Sequence, residues 1–110
     1  MKKFIYTNGR LYYREGDGGI DEKQAFILFA EHLRELRLHC RLSLVQLAER
    51  IDIPNQTLSS YENKTHTPSI MQAMKIASFF HLTVDEFILC GFDEYPYGIT
   101  ELYEKRKNEQ

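Results

Sequence analysis

Residues 42–63 read LSLVQLAERIDIPNQTLSSYEN, two short apolar-periodic runs separated by an Ile-Asp-Ile-Pro junction. In the first run Ser43 is a natural N-cap, and Val45, Leu47, Ala48 and Ile51 are expected on the buried side of a short helix. Asp52 follows, one of the few non-glycine residues that tolerates the left-handed backbone of a tight turn. Pro54 suits the opening of a second helix, where its missing N–H does no harm. Leu58 and Tyr61 then point inward, and Asn63 is placed as a left-handed stop. The rest of this second helix, Asn55, Gln56, Thr57, Ser59 and Ser60, is a surface of short amides and hydroxyls without charge. Adjacent short helices are ordinary scaffolding in a bundle; a face of uncharged donors and acceptors asks for a further explanation.

Working outward, helical periodicity begins at Asp21. Phe26, Phe29, Leu33 and Leu36 form a single stripe at i, i+3, i+7 and i+10. Ile27, Leu28 and Leu38 lie off that stripe, so this first helix begins apolar nearly all round. After a loop from Lys64 to Pro68, Ser69-x-x-Gln72 reads as a capping box opening a helix with Ile70, Ala73, Met74, Ile76, Ala77 and Phe80 inside. Thr83-x-x-Glu86 is a second box, for a short helix through Phe87, Ile88 and Leu89 that Gly91 ends. At the other end KKFIYTNGRLYYR, residues 2–14, predicts a β-hairpin around Asn8-Gly9. That turn sets Tyr6 opposite Leu11 and Phe4 opposite Tyr13 on an apolar face. A lone hairpin is marginal in water, so this face must lie against something. The first helix has spare apolar surface for it, in the same chain or in a second subunit. Gly16-Asp17-Gly18-Gly19 reads as a connector. The expected organisation is a hairpin and linker over 1–20, five helices over 21–91, and a tail over 92–110 with room for a short helix. The class is all-α.

Composition is that of a globular chain: 110 residues, 43% hydrophobic and 27% charged, with no apolar run long enough for a membrane span or a signal-peptide core. Cys40 and Cys90 lie outside any CxxC pattern, which favours reduced thiols and a cytoplasmic setting. The net charge of −2 and pI near 6.1 speak against an acidic partner until the distribution is read. Six acids and no Lys or Arg fall between Asp85 and Glu104, whereas residues 1–84 hold 11 bases and 9 acids. Nucleic-acid binding is electrostatically permitted. His32, His39, Cys40, His66, His81 and Cys90 show no metal-ligand spacing, and no glycine-rich phosphate loop is present, so neither metal nor cofactor is expected. Nothing selects Ser69, His66 and Asp85 as a catalytic set, and an enzyme is not expected.

From Phe29 to Ile88 the chain resembles the Cro/C1-type helix-turn-helix regulators, the XRE or lambda-repressor-like family. It carries that family's LRELR, LSxxxLA, TLSxYEN, PS and KIAxxxxxxxDEF patterns in order and at the right spacing. The resemblance implies a five-helix lambda-repressor-like bundle with the hairpin appended. It implies that the second helix of residues 42–63 enters the major groove of double-stranded DNA. Asn55, Gln56, Thr57 and Ser60 would then read base edges. Arg41, Ser43, Leu44, Ser59, Lys64 and His66 fall on or beside positions where the family holds the DNA backbone. Arg37 and Glu62 match an ion pair that is architectural. The chain departs from the pattern at three places. Leu44 stands where Gln is frequent, Asn63-Lys64-Thr65-His66 replaces a more cationic loop, and His81 replaces a helix-ending Gly.

One recognition helix spans few base pairs, so a homodimer on a pseudo-palindromic operator is expected, acting as a repressor. Phe4, Tyr6, Leu11 and Tyr13 of the hairpin, with Tyr95, Tyr97, Leu102 and Tyr103 of the tail, are the candidate dimer surface. Two alternatives stand beside this: an antitoxin that represses its own operon, and a protein-interaction module on the same scaffold.

Overall fold

In a computed structural model, residues 5–7, 10–12, 20–91 and 97–109 are described. Among the described residues three short strands form an antiparallel sheet in chain order: β1 (Ile5–Thr7), β2 (Arg10–Tyr12) and β3 (Ile20–Asp21). Tyr6 pairs with Leu11 and Ile5 with Tyr12, the register a two-residue Asn8-Gly9 turn demands. The turn itself, the Phe4–Tyr13 pair and the Gly16–Gly19 connector lie outside the described residues. The third strand has no sequence signal, since two residues carry no alternation. It pairs Leu11 with Ile20 and Arg10 with Asp21, and so joins the hairpin to the helix that follows. Asp21 is also the cap of that helix: its carboxylate accepts from the Gln24 N–H at 2.8 Å, and the Gln24 side chain accepts from the Asp21 N–H at 3.0 Å.

Six helices follow among the described residues: α1 (Glu22–His39), α2 (Leu44–Ile51), α3 (Asn55–Glu62), α4 (Ile70–Phe79), α5 (Val84–Leu89) and α6 (Ile99–Asn108). Capping boxes start α2 at Ser43/Gln46 and α5 at Thr83/Glu86. At Ser69 the box is half made, the hydroxyl accepting from the Gln72 N–H at 3.2 Å without the return bond. The core is built from Phe29, Leu33 and Leu36 of α1, Leu47 and Ile51 of α2, Leu58 and Tyr61 of α3, Ala73, Ile76 and Ala77 of α4, and Phe87 of α5. Phe80 sits at its centre, with ring centroids 4.9 Å from Phe79, 6.2 Å from Phe87 and 6.0 Å from Tyr103.

Three inward assignments need correcting. Val45 is half exposed, because the buried strip of α2 runs through Leu44, Leu47, Ala48 and Ile51 at i, i+3, i+4 and i+7. Ile70 and Met74 are exposed as well, since the strip of α4 is Ala73, Ile76, Ala77 and Phe80 and both fall to one side of it. The tail is corrected too. Leu102 is buried in its own chain together with Ile99, and Tyr103 packs partly buried on the same core, so neither is spare dimer surface.

Besides α2, which ends at the left-handed Asp52, three more helices end in the left-handed region without glycine. Arg41 (φ 58°), Lys64 (φ 67°) and His81 (φ 63°) follow α1, α3 and α4. Asn63, expected as the left-handed residue, stays right-handed at φ −81°, and the turn falls on Lys64 one position later. In each case the next N–H reaches back to close the helix: Leu42 to the Arg37 carbonyl, Thr65 to Ser60 and Leu82 to Ala77. A cationic or imidazole side chain at a helix C-terminus faces the negative end of the dipole, which offsets part of the backbone cost. That cost is about 1 kcal/mol at a non-glycine residue. His81→Gly should therefore stabilise the protein by about 0.5–1 kcal/mol, read as a higher urea midpoint at constant slope; a lower midpoint would show that the imidazole matters more than the backbone.

Candidate nucleic-acid interface

The α2–α3 pair is set by its junction. Asp52 adopts φ 57°, ψ 47°, and the N–H groups of Asp52 and Ile53 both reach the Ala48 carbonyl, at 2.9 and 3.3 Å. Ile53 and Leu58 fill the angle between the helices and are fully buried. Lys75 of α4 donates to the Asp52 carbonyl at 3.2 Å, which ties the turn to the next helix. The far end of α3 is held by Arg37. Its Nε and Nη2 donate to the two Glu62 carboxylate oxygens at 2.7 and 3.0 Å, and its Nη1 donates to the Leu42 carbonyl at 2.8 Å. Both side chains are nearly out of solvent, at 11% and 4% exposure.

With α3 held at both ends, Leu58 and Tyr61 face the core. Asn55, Gln56 and Thr57 form no side-chain hydrogen bond among the described residues, and Gln56 is exposed. Gln56, Thr57 and Ser60 line one cleft of about 390 Å³ with Tyr61, His66 and Thr67. Burial pushes the Tyr61 phenol above its ordinary value, so it stays a neutral group in that wall. Ser60 is less free than its neighbours, because its hydroxyl donates to the Thr57 carbonyl at 2.7 Å and is left as an acceptor. Ser59 accepts from the Asn63 amide at 3.2 Å.

Of the remaining backbone candidates only His66 lines that cleft. Arg41, Ser43 and Leu44 sit at the α1–α2 junction, with Arg41 and Ser43 exposed. The Ser43 hydroxyl accepts from the Gln46 N–H at 3.0 Å and keeps its own proton for an outside acceptor. Leu44 is partly buried against the core, which leaves its backbone N–H rather than its side chain as the group on offer. Lys64 is engaged at 3.3 Å with Glu31 of α1, an exposed pair of small worth. His66 is exposed. Among the candidate dimer residues, Tyr97 is exposed beneath Lys105, whose Nζ lies 4.6 Å from the ring centroid. The side chains of Phe4, Tyr6, Leu11, Tyr13 and Tyr95 lie outside the described set.

The first turns of α2 and α3 hold no acid, in contrast to Glu22 in α1, Asp85 and Glu86 in α5 and Glu101 in α6. Their N-termini keep an uncompensated positive end, an arrangement suited to anions. The signal was present in composition: between residues 36 and 84 the acids are Glu49, Asp52 and Glu62, against five Lys and Arg. Arg37 further neutralises Glu62. Thr67 completes the cleft with no sequence signal, because its placement follows from the loop after α3, and Tyr61, expected only as a core residue, forms part of the cleft wall.

The family model described as Helix-turn-helix matches residues 33–87, half of the 110-residue chain. No curated protein and no solved structure matches the chain.

The Arg37–Glu62 geometry sets an expectation for stability. Glu62→Ala leaves a buried guanidinium with the Leu42 carbonyl alone, and should cost about 3 kcal/mol, seen as a lower urea midpoint. An unchanged midpoint would remove the pair from the architecture.

Proposed function

The chain belongs to the Cro/C1-type helix-turn-helix family of DNA-binding regulators, and we propose that it is a sequence-specific repressor reading the major groove with α3. The observation that carries this is the outer face of α3, where Asn55, Gln56 and Thr57 are uncharged and uncommitted within the fold. Charges there would grip phosphates without choosing a sequence, whereas amides offer the paired donor and acceptor that adenine N6 and N7 require. Thr57 adds a methyl for thymine. Ser60 acts as an acceptor.

Backbone contacts come from the acid-free helix ends and their neighbours. Ser43 and the first N–H groups of α2 face phosphate, with Arg41 beside them and His66 on the other flank. Lys64 joins by leaving Glu31, at a cost of under about 1 kcal/mol. With so few cations the non-specific term is small, and affinity depends on two copies occupying two half-sites about one helical turn apart. Such a protein works in the cytoplasm, where its operator is.

Selection from a randomised pool of duplexes, followed by footprinting, tests the proposal. It expects a pseudo-palindromic consensus and a shallow dependence of affinity on salt; failure to enrich any sequence would favour the protein-interaction module instead. Gln56→Ala should lose about 1–3 kcal/mol of discrimination at one base pair per half-site, with an unchanged melting temperature. An equal loss on every sequence would place Gln56 on the backbone.

A further inference from the structure

The C-terminal ends of α1, α2 and α4 meet α6 around a cleft of about 650 Å³, a volume suited to a small molecule. It shares no lining residue with the α3 cleft. Its apolar wall is Leu42, Phe79 and Tyr103, the two rings only partly buried against the core. Burial, followed by the neighbouring Cys40, pushes the Tyr103 phenol up to about 12, so this ring enters the wall as a neutral group.

The polar wall divides into committed and uncommitted groups. Glu104, the one carboxylate lining the cleft among the described residues, is held by His39 at 2.9 Å and by Lys107 at 3.5 Å. Arg50, Ser78 and His81 are exposed, and their side chains form no hydrogen bond or ion pair among the described residues. An exposed arginine at a helix C-terminus ordinarily serves the helix dipole. Here the neighbouring carbonyl ends are already closed by backbone. The Arg41 and Leu42 N–H groups reach the Leu38 and Arg37 carbonyls, and those of His81 and Leu82 reach Ser78 and Ala77. With Arg50 and Lys107 set against Glu104, the wall is net positive before either imidazole protonates.

We propose that this cleft binds a small organic anion, a flat apolar body carrying one carboxylate or phosphate group. The anionic group meets Arg50, whose planar guanidinium offers two parallel N–H bonds, with the Ser78 hydroxyl and the His81 imidazole as further donors. The body lies against Phe79 and Tyr103. An inorganic anion forgoes the ring contacts, and a neutral ring leaves Arg50 unpaired, so the site selects both parts in one molecule. The bound ligand also joins α2 to α4 beside the Asp52 turn. Arg50 stands two residues before Asp52, and Ser78 three residues after Lys75, whose ammonium holds the Asp52 carbonyl. Binding does not depend on the DNA reading, and its test is run without DNA.

The test is titration of the isotopically labelled full chain with benzoate and with phenyl phosphate, followed by amide chemical shifts. Inorganic phosphate and benzyl alcohol are the comparison probes, each lacking one part. At least one ring anion should saturate shifts at Arg50, Ser78, His81 and Tyr103 with a dissociation constant of about 1 mM, the range open to a fragment-sized ligand. The shifts should extend to the Asp52 amide. The single-part probes should bind about tenfold more weakly. Arg50→Gln, a helix-favouring replacement at an exposed position, should weaken binding about tenfold with an unchanged melting temperature. His81→Gly should weaken it a few-fold while the fold is no less stable. No saturable shift, shifts scattered over the basic surface, equal binding of inorganic phosphate, or undiminished binding by the Arg50→Gln variant would overturn the proposal. Binding of one ring anion without the other would support it and fix the anionic group as carboxylate or phosphate.

Discussion

Arg37 has three donor atoms engaged inside the fold, and the geometry of the interface depends on where they point. Two meet the Glu62 carboxylate at the last residue of α3, and the third meets the Leu42 carbonyl between α1 and α2. A planar guanidinium fixes direction as well as distance, which a lysine would not do. One end of α3 is thus tied to α1, and the other to the Asp52 turn that Lys75 holds. A helix tied at both ends cannot roll about its axis. That constraint is what keeps Leu58 inside and Gln56 outside. Replacing such a pair by hydrophobic residues is often neutral for stability, so its contribution here is angular definition more than net energy.

A second ion pair, with a buried carboxylate and a partly exposed arginine, does similar work elsewhere in the fold. Glu86 is 3% exposed and accepts from the Thr83 N–H at 2.9 Å and the Thr83 hydroxyl at 3.2 Å, and Arg106 of α6 approaches both its oxygens. A capping carboxylate is thereby also the anchor of the last helix. With Arg106 in place, Ile99 and Leu102 cover the core, and His39 bonds Glu104 at 2.9 Å along the α1–α6 seam. This bond to His39, more than the nearby Lys107, holds the Glu104 carboxyl below its ordinary value. Its contribution is therefore present above the usual carboxylate range and is lost as acid protonates Glu104. Elsewhere in the core, burial followed by the charge of Glu35 pushes the Cys90 thiol up to about 12, which leaves it unreactive at neutral pH.

The pieces legible from residue order are those set by local chemistry. The left-handed Asp52, the caps at Ser43 and Thr83 and the Tyr6–Leu11 register each depend on residues within a few positions of one another. Errors appear where one helix face had to be chosen from several apolar candidates. Val45 was assigned inward where Leu44 is covered, and Ile70 and Met74 were assigned inward together with Ala73 and Ile76. Hydrophobicity does not separate such neighbours, and only the packing of the adjacent helices decides which of them is covered. In the interface, the uncharged face of α3 was readable as a pattern, but the commitment of the Ser60 hydroxyl to Thr57 and of Lys64 to Glu31 was not.

By itself the sequence determined the number and order of the five central helices, the junction that turns α2 into α3, and the residue types α3 presents outward. These follow from periodicity, capping and backbone preference, which act over less than about two turns of chain. Only the tertiary structure decided that α6 closes the core, that Arg106 finds Glu86, and that Ile70, Met71 and Met74 are left uncovered. Those outcomes depend on which surfaces meet across 20 or more residues, as for Glu86 and Arg106. No local preference encodes such a meeting, because it is settled by the area and charge of every competing contact at once.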